Sequence, residues 1–257
     1  RAELHRANGF ALDREIPQLD VHVVRIPPGK TAEQVIARYK NHRAVEYVEA
    51  EEYFPAALVP NDPWYASSNM PLWHLHNPWV PGADIHAQEA WDITTGSPDI
   101  IIAILDTGVY GAHPEFVSRI VPGWNVVRDN SDSHDFAGHG TTVAGAAAAQ
   151  GNNGIGVASP AWGCKIMPIV VTETGWTGSV SLAEGTVWAA DHGARVVNIS
   201  FEGDTMAIMS DAARYLQDRG GVVVQSAGNS GVFHTIADNP YILKISGTDL
   251  YDEICSF

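Results

Sequence analysis

Apolar residues in the larger, C-terminal part of the chain form short runs of strand length that alternate with helical patterns. The strand candidates span residues 100–105, 164–171, 196–200, 222–226 and 242–247. The helix candidates span residues 139–150, 180–192 and 205–219. Consecutive apolar positions predict strands that are buried on both faces, and helices between them predict parallel neighbours. The pattern therefore predicts an α/β fold, a doubly wound, mostly parallel sheet with helices on both faces.

The first 60 residues carry a different pattern, which predicts a small separate module. The stretch LDVHVVRI alternates polar and apolar residues as a strand does, and Pro-Pro-Gly-Lys then turns the chain. A helical pattern follows, with Thr31 as its N-cap and Gln34 in the place that completes a capping box. The stretch AVEYVEAEEYF predicts a returning strand, and a proline-rich connector over residues 55–81 comes next. We therefore expect an α+β module at residues 1–59 and a larger domain at residues 60–257.

Composition and charge narrow the class of protein. The chain has 15 Lys and Arg against 30 Asp and Glu, a formal net charge of -15, which repels nucleic acids and anionic lipid surfaces. No apolar run approaches the ~18 residues of a membrane span, and the chain opens on Arg1 with no signal-type segment. Cys164 and Cys255 lie outside any metal-ligand spacing, so we expect two isolated thiols. The expected partners thus include neither nucleic acid nor a membrane.

Asp106 follows directly on a predicted buried strand, in the triplet Asp-Thr-Gly. A carboxylate at such a position is costly unless it is paired or hydrogen-bonded. An aspartic protease would need a second Asp-Thr-Gly or Asp-Ser-Gly and a nearly all-β fold, and the sequence offers neither. Asp106 is therefore expected either to cap a turn or to partner another side chain.

His139 stands at the start of a predicted helix, between Gly138 and Gly140. The positive end of the helix dipole disfavours imidazolium, so a histidine that takes up a proton there needs a carboxylate partner. Asp106 is the candidate for that partner. The alternative is a surface histidine on a glycine-rich turn.

Asn229 lies in the turn Ala-Gly-Asn-Ser-Gly, directly after another predicted strand. An Asn side chain in a turn commonly bonds to its own backbone. The same amide can also point outward and donate a hydrogen bond to an oxyanion. Both interpretations stay open on the residues alone.

Four motifs in this order resemble the subtilisin-like serine peptidases, closest to the thermitase type. They are Asp-Thr-Gly after a strand, His-Gly-Thr-x-x-Ala-Gly opening a helix, VVNISF ending a strand, and Ala-Gly-Asn-x-Gly. The resemblance covers nearly all of residues 60–257 and implies a subtilisin-like fold in which Asp106 orients the imidazole. It implies that His139 is general base and then general acid, and that Asn229 donates to the oxyanion. The N-terminal module then resembles the propeptide of the family, an intramolecular inhibitor.

The resemblance also implies two edges that hold an extended peptide substrate as an added strand. The implied substrate-binding residues are Gly175, Trp176, Gly178, Ser200, Phe201, Glu202 and Gly203. Glu202 stands where the family often has a small residue beside the specificity pocket. It either disfavours acidic substrate side chains or points to solvent.

The stretch QGNNGIGVA resembles the calcium loop of the family. Ca²⁺ takes six or more oxygen ligands, which such a loop supplies from carbonyl groups and an Asn side chain. The implied ligands are Asp62, Glu115, Gly151, Asn153, Ile155 and Val157. Glu115 replaces the usual Asp of the family, and a metal-free Gly-Asn turn is the alternative.

The serine that acts as nucleophile in the family, in Gly-Thr-Ser-Met-Ala, does not occur in the 257 residues. We therefore interpret the chain as part of a secreted, calcium-stabilised serine endopeptidase precursor, monomeric and inactive by itself on peptide substrates. The main alternative is a catalytically silent peptide-binding protein. An α/β hydrolase or a nucleotide-binding fold is disfavoured, since no strand is followed by Gly-x-Ser-x-Gly or a phosphate-binding glycine loop.

Overall fold

A six-stranded parallel sheet organises the larger of two units in the computed structural model, which describes residues 2–52, 58–67, 72–202, 206–231 and 239–256. The units are Arg1–Pro55 and Ala56–Phe257, and the sequence placed their boundary near residue 60. The strands of the larger unit, in chain order, are β3 (Ile101–Asp106), β4 (Trp124–Asn125), β5 (Lys165–Val170), β6 (Val196–Ile199), β7 (Val222–Ser226) and β8 (Ile242–Ile245). Their order in the sheet is β4-β5-β3-β6-β7-β8, and all neighbours are parallel.

Helices cover both faces of this sheet. Helix α4 (His139–Ala148) lies on one face, and α5 (Ser179–Asp191) and α6 (Ala207–Gln217) lie on the other, whereas α3 (Ala87–Ile93) packs in a separate buried cluster. Alternate side chains of β3 point to opposite faces of the sheet. Ala103 and Leu105 belong to a buried cluster with α5 and α6. Ile102 and Ile104 belong to a second buried cluster with α4. The predicted doubly wound α/β fold is therefore confirmed. None of the helices in the described part of the chain has the length and apolar character needed to cross a bilayer.

The predicted elements of the larger unit agree with the structure to within about two residues at each end, apart from the start of α6. That helix was predicted from residue 205, which lies outside the described residues. The sequence pattern missed β4, which has only two residues, and α3, which has seven. In α3 the buried Trp91 stacks on Trp162 with ring centroids 4.5 Å apart. Such short elements hold too few residues to show a period.

The smaller unit is a β-hairpin packed with two helices. Its elements are α1 (Ala2–Ala7), β1 (Ala11–Ile16), β2 (Val21–Arg25) and α2 (Ala32–Tyr39), with β1 and β2 antiparallel. The predicted capping box at the start of α2 is present, with Thr31 and Gln34 bonding to each other's backbone. Phe10, Val35 and Tyr39 form the buried core.

The predicted return strand over residues 44–54 is wrong for the part that the structure describes. Residues 44–52 form no strand, and the partner of β2 is the preceding β1. Val45 and Val48 both pack against the core of the unit. Their spacing of three does not match the period of two that a strand with one buried face requires.

Gly140, in the first turn of α4, packs tightly against the end of β3 and the residues after it, whereas Gly145 in the same helix has open space beside it. A Cβ at Gly140 would lie 2.1 Å from the backbone oxygen of Gly108, whereas a Cβ at Gly145 would meet nothing within 4 Å. We expect Gly140→Ala to lower the free energy of unfolding by about 2 kcal/mol through overpacking. Gly145→Ala, the matched control in the same helix, should raise it by about 0.5–1 kcal/mol. Equal unfolding midpoints for the two variants in denaturant would contradict this packing.

A buried histidine makes the smaller unit sensitive to acid. His5 is 7% exposed, with Nδ1 2.8 Å from the Tyr39 hydroxyl and Nε2 2.7 Å from Nδ1 of His22. Burial first, and then the neighbouring His22, lower the pKa of His5. The unfolded chain therefore binds more protons, so the stability that neutral His5 provides is lost as the pH falls below the unfolded value of about 6.5.

We expect amide hydrogen exchange in α2 of the whole chain to speed up between pH 7.5 and 5.5, after correction for intrinsic rates. His5→Phe should reduce this pH dependence, whereas His42→Gln, outside the cluster, should leave it unchanged. An identical pH dependence in the His5→Phe variant would contradict the assignment.

Candidate active site

Asp106 and His139 meet where the last residue of β3 faces the first turn of α4. Nδ1 of His139 lies 2.7 Å from Oδ1 of Asp106, across 33 positions of sequence. The Asp106 side chain is fully buried, and the His139 side chain is 57% exposed. The Thr107 N–H also donates to Oδ1 of Asp106 at 2.7 Å. The pairing predicted from the sequence is therefore present in the structure.

This geometry determines what the His139 ring can do. An ionised carboxylate only accepts hydrogen bonds, so Nδ1 of His139 carries the shared proton. The other nitrogen, Nε2, is then the free base of the neutral ring, on the side chain that reaches solvent. In the described part of the chain no serine or threonine hydroxyl bonds to that nitrogen. The pair has the arrangement of an acid that orients a general base.

The neighbouring strands bring the other predicted residues to the same edge of the sheet. Strands β3, β6 and β7 are adjacent, so Asp106, Ser200 and Asn229 lie at or just beyond their carboxyl ends. Asn229 is exposed in the turn after β7. The ring of Phe201 lies 6.5 Å from that of His139, between centroids. Nε2 of Gln225 donates to the Phe201 carbonyl at 3.1 Å, which ties the end of β6 to β7.

The side chain of Glu202 points toward the turn that contains Asn229. A Cβ added to Gly228, the residue before Asn229, would lie 2.6 Å from Cδ of Glu202. The carboxylate therefore lies against the residue that precedes the predicted oxyanion donor. Gly203, the last residue predicted for this edge, lies outside the described residues.

The opposite predicted edge is a loop that Thr172 shapes. Its hydroxyl accepts from the N–H groups of Thr174 and Gly175, both at 3.1 Å, and donates to the Trp176 carbonyl at 2.7 Å. The Trp176 side chain is left 87% exposed. Gly178, also predicted for this edge, is the N-cap of α5. Three hydrogen bonds of Thr172 thus close the loop, and the Trp176 ring lies exposed to solvent.

Two buried carboxylates meet the loop that resembles a calcium site. Asp62 is fully buried and Glu115 is 4% exposed. Asn153 joins them, since its N–H donates to Oδ1 of Asp62 at 3.4 Å and its Nδ2 to Oε2 of Glu115 at 3.0 Å. No Lys or Arg of the described residues forms an ion pair with either carboxylate. Two buried charges without a counter-charge are electrostatically unfavourable and suit a bound cation.

The donor set at this loop is mostly backbone. The described residues contain no group of three or more His, Cys, Asp or Glu side chains that could hold a metal. The carbonyl oxygens of Gly151, Ile155 and Val157 accept no hydrogen bond from a described residue. The predicted ligands are therefore consistent with a hard cation bound mainly by carbonyl oxygens, a set that Ca²⁺ accepts.

Asp135 is the residue near the site that the sequence analysis missed. It is 8% exposed and bonds to residues on both sides of His139. The sequence does place Asp135 three residues before Gly138, a position from which an acidic side chain can cap a helix whose N-cap is glycine. Sequence alone does not distinguish this role from that of a solvated loop aspartate.

Comparison with known proteins agrees with this geometry. Residues 97–254 match the model of the Subtilase family, Peptidase S8, and residues 1–51 match the Fervidolysin N-terminal prodomain. The chain is 35% identical over 205 residues to thermitase of Thermoactinomyces vulgaris, covering 77% of this chain and 69% of thermitase. It is 34% identical over 229 residues to a thermophilic serine proteinase of Bacillus sp. strain AK1, covering 88% of this chain and 55% of that relative.

A solved structure shows the same architecture. The crystal structure of fervidolysin from Fervidobacterium pennivorans, a keratinolytic enzyme related to subtilisin, matches with a TM-score of 0.54 and 28% identity. The match covers 88% of this chain and 38% of the fervidolysin chain. The chain thus spans only part of the length of these relatives. With its parallel sheet, its Asp106–His139 pair and a family match over more than half of its residues, the chain belongs to the subtilase family of serine peptidases, with a fervidolysin-type prodomain in front.

Proposed function

We propose that this chain belongs to a serine endopeptidase precursor and supplies the acid, the base and an oxyanion donor of its active site. The observation that carries the proposal is the 2.7 Å hydrogen bond between the fully buried Asp106 carboxylate and His139. A carboxylate in this position holds the imidazole in one tautomer and stabilises the imidazolium that forms when a nucleophile is deprotonated. Membership of a family of serine peptidases supports the same chemistry.

Each of these groups would have a separate role in peptide-bond hydrolysis. Nε2 of His139 would take the proton of the attacking hydroxyl and return it to the leaving amine. The side-chain amide of Asn229 would donate to the oxyanion of the tetrahedral intermediate. An extended peptide would lie between the Gly175–Trp176 loop and the Ser200–Glu202 edge as an added strand.

The sequence of these 257 residues does not contain the nucleophilic serine motif of the family. Gly-Thr pairs occur at Gly140, Gly185 and Gly247, and none is followed by serine. We therefore expect the 257 residues by themselves to bind peptides without cleaving them. The alternative function, a peptide-binding protein without catalysis, is supported by the preformed loop that presents Trp176.

The prodomain match supports a further part of the proposal. Residues 1–51 would act as an intramolecular inhibitor and folding aid for the parent enzyme, as the family resemblance implies. Secretion is proposed on the same ground, since relatives include an extracellular protease of Xanthomonas campestris pv. campestris, 30% identical over 230 residues. The peptide and protein substrates of the parent enzyme are proposals of the same kind.

A direct test compares the 257-residue chain with its His139→Ala variant. We expect neither protein to hydrolyse a fluorogenic peptide or to react with a fluorophosphonate probe, because the acid–base pair lacks a nucleophile. We also expect calorimetric titration to detect binding of an extended peptide at concentrations that compete with the proposed inhibitor module, and Trp176→Ala to weaken this binding by about fivefold to tenfold through lost aromatic contact. Turnover that fluorophosphonate abolishes would contradict the expected inactivity.

The gene sequence beyond the codon for Phe257 distinguishes the endopeptidase from the peptide-binding alternative. An open frame past the codon for Phe257 that encodes Gly-Thr-Ser-Met-Ala would support the endopeptidase. A stop codon at that point would contradict it and support the peptide-binding alternative.

We also propose that Ca²⁺ stabilises the loop at residues 150–158. Asp62 and Glu115 would supply carboxylate oxygens, Asn153 its amide oxygen, and Gly151, Ile155 and Val157 their carbonyls. The two buried carboxylates, which form no ion pair with a described Lys or Arg, support this proposal. The ion would be structural, because it offsets buried negative charge at a turn.

Calcium should therefore raise the midpoint of thermal unfolding of the whole chain. Saturation at about 100 times Kd corresponds to about 2.7 kcal/mol of added stability. Asp62→Asn should reduce this effect strongly, and Glu184→Gln, which removes an exposed carboxylate of α5, should not.

Terbium luminescence gives a second readout if Asp62→Asn folds poorly. The ring of Trp162 lies against Gly151, where a Cβ would come within 1.6 Å of it, so a bound lanthanide should be sensitised. Calcium should displace the terbium and quench this signal. Unchanged unfolding in calcium together with no sensitised emission would contradict the site.

A further inference from the structure

One carboxylate joins the two segments that carry Asp106 and His139. Oδ1 of Asp135 accepts hydrogen bonds from the Thr107 hydroxyl at 2.8 Å, the Ala137 N–H at 2.9 Å and the Gly138 N–H at 2.8 Å. Oδ2 accepts from the N–H of Thr141 at 2.9 Å and from its hydroxyl at 2.5 Å. The five donors come from the residue after Asp106 and from both sides of His139.

The start of α4 depends on these contacts because it has no cap of its own. Its N-cap is Gly138, at φ 90°, which has no side chain to accept from the first N–H groups of the helix. Asp135 instead accepts from the N–H of Thr141, and the Thr107 hydroxyl accepts from the N–H of Gly140 at 2.9 Å. The first turn of the helix, which begins with His139, is thus capped partly by the residue that follows Asp106.

The charge of Asp135 suits this place. A negative side chain at a helix N-terminus interacts favourably with the helix dipole. Burial alone would raise the pKa of Asp135, but hydrogen bonds from Thr141, Gly138 and Ala137 outweigh burial and lower the pKa below its ordinary value. Asp135 is therefore ionised at neutral pH, with both oxygens available to accept hydrogen bonds.

We propose that Asp135 is a positioning residue, which keeps His139 at hydrogen-bonding distance from Asp106 by bonding to Thr107 and to the first turn of α4. The importance of this distance for catalysis rests on the proposed function, but the distance itself does not. A general base works only within about 2.6–3.2 Å of its partners, so a small shift of the helix start would break the pair. Thr107 contributes to the same positioning, because its hydroxyl donates to Asp135 and accepts from the N–H of Gly140.

Proton NMR of the whole chain tests this proposal without requiring turnover. The proton that Nδ1 of His139 shares with Asp106 should give a downfield signal, identified by its loss in His139→Ala. Asp135→Asn keeps the size of the side chain but one of its two acceptor oxygens becomes an N–H₂ donor. We expect this variant to lose the signal or to exchange its proton with water about tenfold faster or more.

Asp132→Asn is the matched control, in the same loop and with the same change of charge. Asp132 is exposed, and its Oδ1 accepts one long bond, from the His134 N–H at 3.3 Å. This variant should keep the downfield signal and its exchange rate. Loss of the signal in Asp132→Asn would overturn the proposal, because any disturbance of the loop would then suffice.

Thr107 provides an independent pair of variants in case Asp135→Asn does not fold. Thr107→Val removes the hydroxyl at nearly constant volume and should lose the signal, whereas Thr107→Ser should retain it. An unchanged signal and exchange rate in folded Asp135→Asn or in Thr107→Val would overturn the proposal. These NMR signals do not depend on whether the parent protein hydrolyses peptides. A result that contradicts the endopeptidase function is therefore distinguishable from one that contradicts the role of Asp135.

Discussion

The hydrogen bond between Asp106 and His139 is the interaction on which the rest of the site depends. A carboxylate that is fully buried at the end of a central strand must be satisfied from within the protein. Here a histidine and one backbone N–H bond to Oδ1, whereas Oδ2 has no hydrogen-bond partner among the described residues, and the His139 contact brings the start of α4 to the end of β3. The absence of a side chain at Gly140 is part of the same constraint, because the helix passes directly over the backbone of Gly108.

The parallel sheet then determines what else lies near this pair. Parallel neighbours bring their carboxyl ends to one edge, so residues from β3, β6 and β7 share it. The register is continuous across these strands, with Leu105 beside Ile199 and Ile199 beside Gln225. The end of β3 therefore places the acid, whereas the start of α4 and the loop before it, which contains Asp135, place the base.

The chain buries carboxylates in three ways, which differ in chemical consequence. Asp106 is paired with an ionisable ring, so its environment supports proton transfer. Asp135 is surrounded by N–H and O–H donors, so it holds backbone in place and stays ionised. Asp62 and Glu115 share a loop without a cationic side chain among the described residues, an arrangement that suits a metal ion. In a protein with a net charge of -15, a histidine partner at Asp106 and hydrogen-bond donors at Asp135 offset part of the cost of burying negative charge.

The sequence by itself determined the fold class and most strands and helices of the larger unit, and the resemblance of its motifs to a family implied the pairing of Asp106 with His139. These features depend on local periodicity and on motifs of fixed spacing, which report burial and chemistry directly. Only the tertiary structure decided the strand order, the pairing of β1 with β2, and the role of Asp135. The physical reason is that each of these depends on which distant segments meet. The segment around Val45 and Val48 alternates in sequence as a strand does but is irregular, and its two valines, three residues apart, both pack against the core. Likewise, Asp135 becomes a cap only because the fold brings Thr107 and the first turn of α4 within reach of one carboxylate.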